Sequence, residues 1–306
     1  MTKMRLIYKH RRGHFGLYLA TFVAIATIIF LGDKVLKNWL PAEEMVIHSA
    51  AAILIDASSG KVIYQKNADE AHPPASMSKM MTELIVLEGV LEGRLSWNDR
   101  VSASHYAAHI PGTRMGLSQG DQLTVRELFD SMTIYSANDA AVALAEHIGG
   151  SEKAFVHLMN EKAARIGLSI KSVFGNASGL SKEDIASYHE SAHEQDTMMT
   201  AKDTAMLAGY LMGKFPEVLE VTSRGSVRVS TNKKSLSATN LMLENKPYEY
   251  VGNDGLKTGY TPNAGYCFTG TAKRDGKRLI SVVMGADSKD TRFTETKKLY
   301  EMGFSQ

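Results

Sequence analysis

Pro73-Pro74-Ala75-Ser76-Met77-Ser78-Lys79 opens a run that continues to Leu91 as MMTELIVLEGVL. The prolines end an extended segment, and apolar residues then recur at three- and four-residue intervals. Met77–Leu91 is therefore predicted to be a helix that begins at or near Ser76. On that helix Ser76 and Lys79 share a face, where hydroxyl and amine can hydrogen-bond. A neutral Lys79 would take the Ser76 proton, provided that burial or a second nearby cation lowers the lysine pKa. S-x-x-K alone is a weak signal, because ordinary composition gives roughly one by chance in a chain of this length. Ser58–Lys61 and Ser230–Lys233 match it too, but Ser58 falls in a predicted turn and Ser230 precedes the basic, solvated Lys233-Lys234.

Beyond this run the helical period persists through Val125–Ile148, Ser151–Ile166 and Thr200–Met212, and a last helix is predicted over Phe293–Met302. Both ends of the body read as strands. Ala51–Asp56 and Lys61–Gln65 flank Ser58-Ser59-Gly60, while Ala264–Ala272 and Arg278–Met284 flank Arg274-Asp275-Gly276, each the pattern of a β-hairpin. Strands at both ends around a helical centre predict an α/β (α+β) fold. Its single, mostly antiparallel sheet is formed by N- and C-terminal strands, flanked by helices, with a helical lobe beside it.

The composition of the 306-residue chain, 44% hydrophobic and 22% charged, suits a folded protein with a sizeable core. Its net charge of +2 hides an asymmetry: residues 1–14 carry five basic residues and no acid, which leaves 30 basic against 33 acidic residues elsewhere. The body thus gives no nucleic-acid signal. Phe15 to Leu31 is a run of seventeen residues without a charge. As a helix it would span roughly 26 Å at about 1.5 Å per residue, long enough to cross a bilayer. Leading basic residues favour a cytoplasmic N-terminus and an exported remainder. The expected organisation is a cytoplasmic basic tail over 1–14, a transmembrane signal-anchor over 15–31, a tether over 32–48 and a catalytic domain over 49–306. A cleaved signal peptide is the rival reading, disfavoured by the length of the apolar run and by the lack of a small-x-small site after Leu31. Cys267 is the only cysteine, so stability rests on the core rather than on an intramolecular disulfide.

Two further motifs follow the serine and lysine. Ser136-Ala137-Asn138 lies between helical segments, where a hydroxyl and a carboxamide can both face a cleft; by itself an S-x-N is more often a cap or turn. Lys257-Thr258-Gly259 occurs once. A glycine on a strand lets another backbone approach, so this edge can pair with an extended peptide. Lys257 would supply positive charge and Thr258 a hydroxyl for an anionic group. His189-Glu190-Ser191-Ala192-His193 fits the zinc-protease pattern H-E-x-x-H, but its surroundings are polar and no third ligand is identifiable, so a surface loop is expected.

S-x-x-K, then S-x-N sixty residues later, then K-T-G a further 121 on, is the ordered triplet of penicillin-recognising serine enzymes. PASMSKMMT from Pro74, YSANDAAVALAE from Tyr135 and DGLKTGYTPNAGY from Asp254 resemble the low-molecular-mass penicillin-binding proteins, the serine-type D-alanyl-D-alanine carboxypeptidases. The resemblance runs from about Ser49 to Phe304. It implies a β-lactamase/transpeptidase-like fold, an extracytoplasmic enzyme acting on peptidoglycan stem peptides, and inhibition by β-lactams. It also implies a nucleophile in Ser76, a general base in Lys79 and a proton relay through Ser136. Asn138 and Gly259 would bind the substrate, Lys257 would tune the serine–lysine pair, and Thr258 with Arg292 would bind the terminal carboxylate. The backbone amides of Ser76 and Tyr260 would form the oxyanion hole. No metal or organic cofactor is implied.

Two departures qualify the expectation. Family members often carry a further β-rich domain and a C-terminal anchor, whereas this sequence ends at Gln306, so anchoring is expected from the N-terminal segment. The family arginine shortly before Asn240 is Thr239 here. No E-x-x-L-N segment follows Asn138, which argues against a class A β-lactamase. A D,D-endopeptidase acting on cross-links, or a non-catalytic penicillin-binding sensor that keeps the fold, remain the alternative functions.

Overall fold

The two sequence hairpins meet in one sheet. The structure, a computed structural model, describes residues 46–188 and 195–306. The basic tail, the apolar segment, most of the tether and the pair His189 and His193 lie outside the described residues. Strands β1 (Ala51–Asp56), β2 (Val62–Lys66), β3 (Asn253–Thr261), β4 (Gly265–Arg274) and β5 (Lys277–Ala286) form an antiparallel sheet in the order β2-β1-β5-β4-β3. The first and last of the long strands are neighbours, with Ala51 opposite Met284 and Asp56 opposite Leu279. The turn after β4 has positive φ at both Asp275 (47°) and Gly276 (82°), as the twist of a two-residue hairpin demands. Its Asp-Gly sequence had marked that turn.

Helices cover both faces of the sheet. Helix α6 (Lys289–Phe304) lies against β5, β4 and β1. A Cβ on its Gly303 would come within 2.5 Å of Leu279 and 2.9 Å of Leu54, so these side chains face it. Ile280, the next residue along β5, points the other way, toward Gly209 of α5 (Ala201–Lys214). This is why Leu279–Met284 is an unbroken buried run rather than an alternating one. Helix α6 starts earlier than its apolar period suggests, because Ser288 caps it by accepting from the Thr291 amide. Arg292 thereby falls inside the first turn.

The helical lobe is built around α1 (Lys79–Leu91), which is buried from Lys79 to Gly89 and packs against α2 (Val125–Tyr135), α3 (Asn138–Gly149), α4 (Glu152–Arg165) and α5. Two details differ from the sequence reading. The α-helix begins at Lys79, and Ser76 sits on a 3-10 turn, Ala75–Ser78, that precedes it. The periodic stretch over residues 125–148 is two helices: Ser136 is left-handed (φ 69°), Ala137 is extended, and the chain restarts at Asn138. Both breaks turn motif side chains toward one cleft, which a continuous helix would not do. Charge is also buried here: Glu88 of α1 is met by Lys162 at 2.6 Å and Lys214 at 2.7 Å. Its carboxyl stays below the usual range, the two lysines overcoming the opposing effect of burial. Cys267 is fully buried on β4, and burial pushes its thiol up to about 11, which makes it unreactive.

Candidate active site

The chemistry converges where the 3-10 turn, the break between α2 and α3, and the free edge of β3 meet. Lys79 Nζ, with no exposed surface, stands 2.7 Å from Ser76 Oγ, 2.7 Å from Asn138 Oδ1 and 2.6 Å from the Ser178 carbonyl oxygen. Burial is the main force holding this amine well below the ordinary lysine range, and the charge of Lys257 adds to it, against Glu83, Asp139 and Glu152. A neutral amine has two N–H donors and one lone pair. Asn138 Oδ1 and the Ser178 carbonyl accept the two donors, and the lone pair is left to accept from the Ser76 hydroxyl. The geometry thus sets a base against a nucleophile.

Asn138 is held from three sides. Its Nδ2 donates to the Pro111 carbonyl at 2.8 Å, its amide donates to Thr113 O at 2.8 Å, and its neighbour Asp139 accepts from the amides of Met115, Gly116 and Leu117. The segment 111–117 is thereby pinned to the start of α3. Opposite, Lys257 is 1% exposed, and its Nζ donates to Ser136 Oγ at 2.7 Å and to Thr258 O at 3.2 Å. Burial lowers this second amine to about 7, with Glu83 opposing and Arg292 adding to the fall.

Gly259 explains how β3 reaches the nucleophile. A Cβ there would lie 2.4 Å from Pro74 O and 3.2 Å from Ser76 N, so only glycine lets the strand and the turn touch. Ser76 and Tyr260, whose amides the resemblance assigns to an oxyanion hole, are thus carried on backbones in direct contact. The Tyr260 ring is half exposed and stacks on Tyr266 at 4.3 Å. Thr258 Oγ1 donates to Thr239 Oγ1 at 2.7 Å, so the position where the family pattern has arginine is a hydroxyl in contact with the K-T-G strand.

Arg292 is brought to the same strand and is buried there. It is 6% exposed, and its Nη1 donates to the carbonyls of Gly259 at 3.1 Å and Cys267 at 3.4 Å, between the rings of Tyr266 and Phe293. Burial lowers it to about 10, still a cation at neutral pH. It braces β3 from behind and supplies positive potential behind Thr258.

Several contributors escape a sequence reading. The Ser178 carbonyl is aimed at Lys79 by Asn176, whose Oδ1 accepts from Ser178 N, Ser178 Oγ and Gly179 N. Asn-Ala-Ser-Gly announces a turn, but nothing local says that the turn lands 99 residues back on the lysine. Glu83 and Asp139 belong to no motif, and as single acids on helices they carry no local signal of the site. The rival S-x-x-K matches stay apart: Ser58 is an exposed turn residue bonded to Asp56, and Ser230 is an exposed residue of another turn. Among the described residues, no group of three or more His, Cys, Asp or Glu is placed to hold a metal, and no helix is long and apolar enough to cross a membrane.

A serine set against a buried amine of lowered basicity, beside an edge strand bearing a second amine, defines a serine–lysine enzyme of the penicillin-recognising class. The S11 peptidase family, described as D-alanyl-D-alanine carboxypeptidase, matches residues 39–288, and the chain belongs to that family. It is 38% identical over 266 residues to the D-alanyl-D-alanine carboxypeptidase DacF of Bacillus subtilis, covering 86% of this chain and 64% of the relative. It is 33% identical over 269 residues to DacC of Escherichia coli, covering 84% and 62%. The chain therefore spans somewhat less than two thirds of these relatives. Penicillin-binding protein D2 of Listeria monocytogenes, solved in an ampicillin-bound form, superposes with a TM-score of 0.75 at 36% identity, covering 86% of this chain and all of that one.

Proposed function

We propose that the protein is a penicillin-sensitive serine D-alanyl-D-alanine carboxypeptidase that removes the terminal D-alanine from peptidoglycan stem pentapeptides. The contact of Lys79 Nζ with Ser76 Oγ, inside a site that keeps the amine neutral, carries this reading. Ser76 Oγ attacks the carbonyl carbon of the penultimate D-alanine while its proton passes to Lys79. The amides of Ser76 and Tyr260 receive the oxyanion. The proton that Lys79 took from Ser76 passes through Ser136, held by Lys257, to the departing D-alanine amine, so both side chains return to their starting states; water, losing a proton to Lys79, then attacks the ester and releases the trimmed peptide as Ser76 regains its proton. Asn138 and the β3 edge at Gly259 hold the peptide backbone. Thr258 binds the terminal carboxylate in the positive field of Lys257 and Arg292.

The test uses the full chain and Ser76→Ala with a D-alanyl-D-alanine pentapeptide and a fluorescent penicillin. Free D-alanine and covalent labelling are both expected in the wild type and both fall by at least about 10⁴-fold in the variant. Labelling without D-alanine release would point to cleavage of cross-linked dimers or to a sensor, and neither signal would reject the assignment.

We further propose that the domain is held on the extracytoplasmic face of the membrane by residues 15–31, with the basic tail inside. The uncharged run and the leading Lys3, Arg5, Lys9, Arg11 and Arg12 support this. The protein is expected to stay in the membrane pellet after alkaline extraction; its release by alkali would exclude a spanning anchor.

A further inference from the structure

The proposed mechanism uses two buried lysines but no buried acid, and one is present. Glu83 lies one helical turn past Lys79 on α1 and is 1% exposed, and its Oε1 is buried without a hydrogen-bond partner. Other buried acids have partners of their own, and Glu152 accepts from the Ala177 amide. Glu88 has two lysines, Asp139 has three backbone amides, and Asp203 accepts from the hydroxyls of Ser169 and Ser172. An unpaired carboxylate oxygen in a closed core is destabilising unless something nearby uses its charge. The charged groups around it are Lys79 on its own helix and Lys257 from β3. Asp139 on α3 and Glu152 on α4 act on Lys79, and Arg292 on α6 acts on Lys257. From α2 it is approached by the neutral hydroxyl of Thr133.

Two buried ammonium groups this close repel, so the site holds one proton between two amines more readily than two. Hydrogen bonding distinguishes them. Lys79 has two carbonyl acceptors and needs its lone pair for the Ser76 hydroxyl, whereas Lys257 donates to Ser136 Oγ and to the Thr258 carbonyl and has no nucleophile to deprotonate. Resting on the acyl-serine reading above, we propose that Glu83 is a positioning residue whose carboxylate is the buried counter-charge that keeps Lys257 an ammonium while Lys79 stays a neutral base. Its position agrees with its ionisation. Burial raises the Glu83 carboxyl to about 7, and Lys257 is the strongest influence pulling it back. Reciprocally, Glu83 is the leading influence that holds Lys257 up against burial, whereas on Lys79 it ranks behind the repulsion from Lys257.

The consequence is a pH profile. Without the carboxylate the Lys257 ammonium loses its counter-charge, so it deprotonates at lower pH and the alkaline limb of acylation moves down. The acid limb, set by Lys79, moves less. The experiment measures the second-order rate of labelling by a fluorescent penicillin from pH 5 to pH 10 for the full chain, Glu83→Gln and Glu83→Asp. Glu83→Met, apolar and of similar length, replaces Glu83→Gln should the amide not fold. The neutral variants are expected to lower the alkaline limb by about one pH unit or more, which is about a tenfold loss on that side, with a smaller change at pH 6. Glu83→Asp, which keeps the charge, retains the wild-type limb. A neutral variant whose limbs coincide with the wild type overturns the proposal, as does a uniform loss at every pH, which is what a purely structural residue would give. Absence of labelling in the wild type would instead sink the acyl-serine reading itself, so the two failures are distinguishable.

Discussion

Replacing Lys79 by methionine is expected to lower the rate at which a β-lactam acylates Ser76 by about 10⁴-fold or more, with the domain still folded. Methionine has a similar length and no proton to accept or donate. Ser76 therefore keeps its place on the 3-10 turn, but its hydroxyl has no base. The stability change is the balance of two terms. Asn138 Oδ1 and the Ser178 carbonyl lose their donor, at about 1–3 kcal/mol each if water does not enter. Against this, a buried amine is replaced by an apolar chain, which is often neutral or stabilising. A thermal melt close to the wild type with labelling reduced to background separates loss of the base from loss of the fold. Acylation retained within about tenfold would show that another group takes the Ser76 proton, and the neutral-lysine mechanism would have to be abandoned.

The second large effect is expected from Gly259→Ala. The added methyl would lie 2.4 Å from Pro74 O, 3.1 Å from Ala75 Cβ and 3.2 Å from Ser76 N. Two of those atoms are backbone, so no rotamer change relieves the clash and β3 must separate from the nucleophile's turn. Overpacking of this kind is destabilising by about 1–3 kcal/mol. The oxyanion donors on the two segments move apart together with the edge that binds the peptide, and a displacement near 1 Å is worth about 10²-fold in rate. The measurement is the acylation rate beside a melt. The control is Gly213→Ala at an exposed position of helix α5, where a Cβ meets nothing within 4 Å and the helix gains about 0.5–1 kcal/mol. An unchanged acylation rate in Gly259→Ala would mean that the contact between strand and turn does not set the site.

Some of this architecture is written locally. Asp275-Gly276 specifies its hairpin because both residues must take positive φ. The apolar period of residues 77–91 specifies α1 because a helix buried on all sides needs apolar residues on all sides. The helix boundaries were less legible. Ser136 at φ 69° interrupts an apolar period that runs through it, and only the packing of α2 against α3 makes that left-handed residue worth its strain. Arg292 was legible as a residue of the site but not as one buried behind β3, because the Ser288 cap that draws it into α6 carries no periodic signal.

The sequence by itself determined which chemistry the chain carries. The nucleophile, its base and the K-T-G strand are short motifs whose spacing and wording are specific even when the folding of the intervening chain is unknown. The tertiary structure alone decided how that chemistry is powered. The lowered basicity of Lys79 depends on its burial and on the charge of Lys257, 178 residues away along the chain, against Glu83 only four residues on. Burial and Coulomb interaction depend on distance through space, to which no local pattern of residues gives access.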